Sequence, residues 1–497
     1  MVSIRQLAVS FSFLAVAAAA GVACDEGTIP SPNGDNAYLT KGPDDWNRAV
    51  TQPDDATAES TRKACGYHAG ALPGETLGKS TVLDKDLPIQ KIIVLMQENR
   101  SFDLYFSKFA KYANRTDVEV APDDASNPEQ INTPGSPPHT RQHAPHKCTL
   151  DTDHSWHAAH EQYNGGKMDG FFQSNDEPGL PGDIGTGDRS LYYYDETDLP
   201  FYYELANTFG LGDHYFCSLL GPTWPNRMFL YTAQSFGLVS NDVPDLSAYP
   251  YPEKMSSIFD ELAQREVPFK IYRESTPGIS LVYLTGAITR WGNDVIHDHT
   301  DLMADLAAGT LPPVSFIDGD LLGEGPRGDD EHPPGNIELG QKMVGDIAVA
   351  LTKSPDWKHT AMIVNYDENG GFYDHVVPPA ACPPTDQPLQ LSGQDAAYPA
   401  KLDQYGYRVP VIVISPYAKK SYVSHVTYDH TSVTRFIETK FKLPALTDRD
   451  ANADPLMDFF DFKNPPFLTP PTFKTQPTVN DSETDYCSAT YQKSSGG

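Results

Sequence analysis

Short apolar, largely β-branched runs recur along this chain: IIVLM at 92 to 96, VPFKIY at 267 to 272, PVSFI at 313 to 317, TAMIVNY at 360 to 366 and VPVIVIS at 409 to 415. Each is too short for a core helix and reads as a continuous apolar run, the pattern of a strand buried on both faces. Between them lie helical patterns, among them NRMFLYTAQSF, SSIFDELAQR, NIELGQKMVGDIAVALTK and HTSVTRFIETKF. Strands of this kind alternating with amphipathic helices predict an α/β fold, an α/β/α sandwich around a mostly parallel central sheet with loop insertions.

Such a sheet gathers ligands at the carboxyl ends of its strands, and here those ends are the polar places. IIVLMQ leads into Glu98-Asn99, TAMIVNY leads into Asp367-Glu368, and PVSFI leads into Asp318 and then, past a Gly-rich loop, into Glu331-His332-Pro333-Pro334. RSFDLYF, following Asn99, reads as the start of a helix that holds the first pair in place.

The organisation expected is one large catalytic domain, residues 86 to 465, with an irregular extension before it at 24 to 85 and a wrapping arm after it at 466 to 497. Pro- and His-rich residues 121 to 148 read as an insertion loop. Residues 1 to 23, with Arg5 followed by LAVSFSFLAVAAAAGVA, read as a secretory signal peptide. Cleavage after Ala23 would expose Cys24 as a lipid-anchor point. Six scattered cysteines, with no CxxC pair, fit an oxidising compartment. All six pairing allows fifteen connectivities; a lipidated Cys24 leaves five and at least one unpaired. A formal charge of −30 argues against nucleic acid or an anionic membrane as a partner held by long-range attraction.

Glu98, Asn99, Asp367 and Glu368 offer only oxygen ligands from two separate elements, the donor set a hard divalent cation takes. Acidic loops after strands are also commonly just solvated. Thr223, in GPTWPNR, falls at or just before a helix N-terminus, where free amides can receive phosphate; as a plain N-cap it would need no function. His154, His332 and His375 sit beside acidic groups in sequence, a setting that keeps imidazole protonated. His154, His157 and His160 have helical spacing, but HAAHEQYN lacks the zinc-protease pattern HExxH. His297 and His299, in VIHDHTD, are of ligand type but read as a surface loop. No GxSxG elbow and no P-loop occurs, and Leu322 breaks the calcium-loop pattern starting at Asp318.

The segments IIVLMQENRSFDLYF, MDGFF, GPTWPNRMF, EHPP, IVNYDENGGFYDHVVPP and RVPVIVISPY, between Leu87 and Leu443, resemble in the same order a secreted phosphoesterase family. That family contains bacterial non-haemolytic phospholipases C and a group of acid phosphatases. The resemblance implies an alkaline-phosphatase-like fold and phosphoryl transfer to a metal-activated side-chain hydroxyl. It assigns Glu98 and Asn99 to the first metal-binding pair, Asp367 and Glu368 to the second, Thr223 to the nucleophile that also ligates the metal, and His154 and His332 to phosphate contact. A further mid-chain histidine of the family has no counterpart in FKIYRE. One divalent ion is implied, with calcium, magnesium, manganese and zinc open.

The resemblance leaves two substrates: a phospholipid diester, with transient contact at a membrane surface, or a small phosphate monoester. GPTWPNR and the Asp-Glu order at 367 and 368 favour a phospholipase C releasing diacylglycerol and phosphocholine through a phosphothreonine. The chain departs from the longer bacterial phospholipases C in lacking their C-terminal domains and a twin-arginine signal. The reading from another class is a non-catalytic, calcium-binding secreted protein.

Overall fold

The computed structural model describes residues 44–178, 180, 185–242, 257–274, 280, 292–321, 325–384, 389–399 and 401–491. The signal peptide and Cys24 lie outside these residues.

Eight strands form the central sheet: β1 (Lys91–Gln97), β2 (Gly210–Gly212), β3 (Phe269–Arg273), β4 (Ile296–Asp298), β5 (Val314–Asp318), β6 (Thr360–Tyr366), β7 (Val411–Ile414) and β8 (Tyr422–Ser424). Their spatial order is β8-β2-β7-β6-β1-β5-β3-β4. Only β7 runs against the others, so the sheet is mostly parallel, as the alternation predicts. All of β6, and β1 after its first residue, is buried. Because side chains alternate between faces along a strand, the sheet is covered on both sides.

The helices that matter for the site are α1 (Asp55–Lys63), α2 (Phe102–Phe106), α3 (Trp156–Tyr163), α4 (Thr223–Thr232), α5 (Ile258–Gln264), α6 (His299–Ala308), α7 (Ile337–Lys353), α8 (His430–Phe441) and α9 (Asp481–Tyr491). Asn336 caps α7 by accepting from the Glu338 amide, and Ser101 caps α2 by accepting from Leu104. Helix α7 buries Val344, Ile347, Ala348 and Leu351, and α8 buries Val433, Phe436 and Ile437, in one core cluster with Ile92 to Met96 and Ala361 to Val364. The five predicted strands and the helices around them are present.

Three strands carry no strand signal in sequence. Strand β2 is Gly-Leu-Gly, and a Cβ on Gly210 would lie 2.6 Å from the Phe459 ring. Glycine there allows close packing while erasing the β-branched signature. The N-terminal extension is less irregular than expected: it contains α1, buries Trp46, Ala58, Leu72 and Leu77, and is tied to the domain by the Cys65–Cys382 disulfide. The C-terminal arm likewise ends in α9, fastened by Cys148–Cys487. Cys217 is buried and has no disulfide partner among the described residues. No described helix is long and apolar enough to cross a membrane.

Candidate active site

The parallel register puts the ends of β1, β5 and β6 side by side. Gln97 pairs with Tyr366, and Met96 with Asp318. The next residues, Glu98 and Asp367, therefore leave the sheet together. Asn99 turns left-handed at φ 62°, a region asparagine tolerates, and its amide donates to Asp367 Oδ1 at 2.9 Å. The Arg100 amide donates to the Glu368 carbonyl at 3.0 Å. Gly370, at φ 64°, lies so near the Asn99 carbonyl that a Cβ would approach its oxygen to 2.4 Å. The two predicted metal pairs thus share one wall, built from two interlocked strand-end loops.

Three oxygens on this wall are buried without a hydrogen-bond partner among the described residues: Asn99 Oδ1, Asp367 Oδ2 and Glu368 Oε1. Nearly every buried polar atom in a folded protein is satisfied, so three together indicate a missing electropositive partner. Burial raises the Glu368 carboxyl well above its ordinary value, against the pull of His154. Burial and the charge of Glu98 push Asp367 up to about 6, with Arg227 opposing. A divalent cation would relieve both effects, and amide plus carboxylate oxygens suit a hard ion. These residues fit the implied metal.

Thr223 opens α4 and is buried, with Pro222 as its N-cap; the reading of Thr223 as a plain N-cap is thereby corrected. One helical turn later, on the same face, Arg227 is wholly buried. Its guanidinium lies 3.2 Å from Glu98, 2.8 Å from Asp318 and 3.5 Å from Asp367 Oδ2. The helix that presents Thr223 is therefore anchored on the acidic wall. Asn226 fixes the approach: its Oδ1 accepts from the Ser218 and Leu219 amides, and its Nδ2 donates to the Gly221 and Pro222 carbonyls.

His154 and His332 face each other with ring centres 6.0 Å apart. Together with Asp151 they form a group whose potential ligand atoms lie within 4.8 Å of one another. His154 Nε2 stands 3.3 Å from Asn99 Nδ2 and 3.8 Å from Glu368 Oε1, while Nδ1 is held by the Thr152 carbonyl at 2.7 Å. Burial lowers its basicity, but Glu368 and Asp151 overcome this and raise its pKa to about 10. Burial lowers the pKa of His332. The surroundings of the two imidazoles thus shift them in opposite directions. His332 is carried by a loop whose preceding residue, Glu331, accepts from Tyr105, Tyr202 and Tyr366 at 2.6, 2.5 and 2.8 Å.

The other histidines stand elsewhere. His157 and His160 lie on α3, where His160 bonds the Trp156 carbonyl at 2.7 Å. His375 is hydrogen-bonded to Asp103 at 2.6 Å, behind the wall. His297 belongs to β4 and His299 opens α6, donating to the Asp318 carbonyl at 2.8 Å, so the surface-loop reading of this pair is corrected. Arg100 donates to the Glu331 carbonyl, stacks 5.2 Å from the Phe372 ring, and by its charge favours the ionised Glu331 carboxylate.

Sequence reasoning missed Arg227, Asn226, Asp151 and His430. His430 bonds the Asp367 carbonyl at 2.7 Å. Only Arg227 carried a local signal, as the residue one turn after Thr223 in the same helical pattern.

Non-specific phospholipase C1 of Arabidopsis thaliana is 32% identical over 76% of this chain and 72% of its own length. Phospholipase C B of Mycobacterium tuberculosis is 30% identical over 80% of this chain and 81% of its own. Non-hemolytic phospholipase C of Pseudomonas aeruginosa is 31% identical over 76% of this chain but only 58% of its own. Among solved structures, an alkaline phosphatase superfamily protein from Vibrio parahaemolyticus aligns at 11% identity and TM-score 0.36 over 85% of this chain and 78% of its own, too loosely to bear on the site. The class defined is a phosphoric ester hydrolase. The Phosphoesterase family profile matches residues 89–444, and the chain belongs to that family.

Proposed function

We propose that the protein is a secreted, metal-dependent phospholipase C that cleaves phosphatidylcholine to diacylglycerol and phosphocholine through a phosphothreonine at Thr223. The observation that carries the reading is the set of three unpartnered buried oxygens, on Asn99, Asp367 and Glu368, beside His154. The similarity to phospholipases C of a plant and two bacteria supports the diester substrate. The two disulfides suit export into an oxidising compartment.

Asn99, Asp367 and Glu368, with Glu98 and Thr223, would hold one divalent cation. When bound, the cation supplies charge neutralisation at the phosphate and acidifies a coordinated hydroxyl. Thr223 Oγ1, releasing its proton to solvent, attacks phosphorus, forming the O–P bond as the bond to the diacylglycerol oxygen breaks, and it takes a proton back when the phosphothreonine is hydrolysed. When protonated, His154, beside Asn99 and Glu368, stabilises the charge growing on the equatorial oxygens. A protonated imidazole of the His154–His332 pair delivers the proton to the leaving alkoxide, and the same pair, now short of a proton, draws one from the water that hydrolyses the phosphothreonine. Arg227 keeps the threonine's helix registered against Glu98 and Asp367 throughout.

The test is to incubate metal-replete protein with phosphatidylcholine and with an aryl phosphate monoester. The expected result is higher kcat/KM for phosphocholine release, with both activities lost in Thr223→Ala. Faster monoester cleavage would make the protein a phosphatase, and turnover surviving in Thr223→Ala would remove the phosphothreonine.

A further inference from the structure

The family profile ends at residue 444, yet the chain continues across the domain to α9. Helix α9 touches the two loops that carry His154 and His332, and it touches each of them by more than one bond. On the first loop, Cys487 is joined to Cys148, six residues before His154. Glu483 accepts from the Lys147 amide at 3.3 Å and lies 3.4 Å from His146 Nδ1, whose ring stacks on Tyr486 at 3.6 Å. On the second loop, Thr484 Oγ1 accepts from Asn336 Nδ2 at 2.8 Å, and Asp485 pairs with Arg327 at 3.1 Å. Just before the helix, the Asn480 amide donates to Glu338 at 2.7 Å. The loops also meet each other where the Ile337 amide donates to the Lys147 carbonyl at 3.0 Å.

Cys487 and Thr484 are buried and face these loops. The opposite flank of the His332 loop is already fixed by Glu331 among its three tyrosines. The flank between His332 and α7 has α9 as a brace, held to that flank by a hydrogen bond and an ion pair and joined covalently to the loop of His154. An imidazole pair that moves a proton must keep its spacing, because proton transfer falls off steeply once donor and acceptor leave hydrogen-bond range.

We propose that α9, through Cys487 and Thr484, is a positioning element for the His154–His332 pair, and that the Cys148–Cys487 disulfide holds the pair in register for protonation of the leaving group. The proposal rests on the phosphoryl-transfer reading above and extends it to a segment outside the family profile. Its signature is a dependence on the leaving group. A departing nitrophenolate needs little help from an acid, whereas an alkoxide cannot leave without one. Loosening α9 therefore slows poor leaving groups selectively, while the phosphate-binding wall continues to work.

The experiment compares kcat of the full-length, metal-replete chain on a nitrophenyl and an alkyl ester, as phosphate monoesters and as phosphocholine diesters. The variants are Cys148→Ala/Cys487→Ala and the milder Thr484→Val. Cys65→Ala/Cys382→Ala controls for stability lost with any disulfide. For the first double variant the expected loss is about tenfold or more on the alkyl ester and under about threefold on the nitrophenyl ester. Thr484→Val shifts the ratio in the same direction and by less. The Cys65→Ala/Cys382→Ala variant loses thermal stability with its ratio unchanged, and reducing wild type with dithiothreitol, whose two thiols become a disulfide as Cys148 and Cys487 become thiols, reproduces the first variant. An active wild type whose ratio is unchanged in both α9 variants, or shifted equally by the Cys65–Cys382 control, overturns the positioning role alone. A wild type inactive on every ester overturns the phosphoryl-transfer reading and this proposal with it.

Discussion

Two clusters of buried charge stand behind the same strand ends, and they are finished differently. In the first, Asp103 and Asp374 surround the guanidinium of Arg408. Asp103 Oδ1 accepts from the Ala121 amide and lies 3.2 Å from Arg408, while Oδ2 accepts from the amide and ring of His375. Asp374 Oδ1 accepts from Arg408 and Val376, and Oδ2 from Arg408 and the Asp103 amide. Every oxygen is used twice. In the second, Arg227 pairs with Glu98 and Asp367, and one oxygen each of Asn99, Asp367 and Glu368 has no hydrogen bond among the described residues. The saturated cluster clasps the loop after β1 to the loop after β6, and the unsaturated one sits at their tips. Although Asp103, Asp374 and His375 also have metal-ligand spacing, Arg408 already fills that place. Buried carboxylates by themselves do not distinguish a cation site from a structural clasp; the leftover lone pairs do.

The contrast can be broken in several ways. Thr223→Ala removes the nucleophile and should lower kcat by about 10⁴-fold, equivalent to about 5 kcal/mol of barrier, while urea unfolding stays within about 1 kcal/mol of wild type. Arg408→Met leaves two buried carboxylates unpaired in the clasp; urea unfolding should show a loss of about 3–5 kcal/mol, with the remaining folded protein still binding its cation. Chelation acts on the tips alone: it should abolish turnover and lower stability by about 2–4 kcal/mol relative to cation-saturated protein, reversibly on adding the metal back.

The smallest effect is one of pH. Burial opposes the charge on His375, but the hydrogen bond and charge of Asp103 prevail, with Asp374 aiding and Arg408 opposing, so its folded pKa lies above the ordinary value. A histidine whose pKa is raised by folding stabilises the protein fully below about 6.5 and loses that contribution as pH rises through the raised value. His375→Gln should therefore cost about 1 kcal/mol at pH 6, and the difference in unfolding free energy from wild type should shrink at alkaline pH.

Much of this contrast was legible in sequence, in proportion to how local its cause is. Strands β1, β5 and β6 each carry a short, mostly apolar run, so the rim bearing Glu98, Asp318 and Asp367 followed from pattern and strand polarity alone. Glycine-rich β2 did not, because what makes it a strand is the nearness of Phe459 and Val411, far away in the chain. Arg227 reads locally as one more residue of an amphipathic helix, and only the fold reveals three carboxylates around it. His375 and His154 both stand beside acidic groups in sequence. The clasp takes one and the wall the other, a difference set by Arg408 and Glu368, neither adjacent to its histidine. The arm's role was hidden for the same reason: Cys487 and Cys148 are 339 residues apart.

The measurement closest to the central claim is the divalent-metal content of purified protein, by elemental analysis, for wild type, Glu368→Gln and Asp374→Asn. The expected result is one tightly held ion per chain in wild type and in Asp374→Asn, and none in Glu368→Gln, with Glu368→Gln no less stable than metal-free wild type. Metal retained by Glu368→Gln and lost from Asp374→Asn would move the cation to the clasp and contradict the reading of the leftover oxygens.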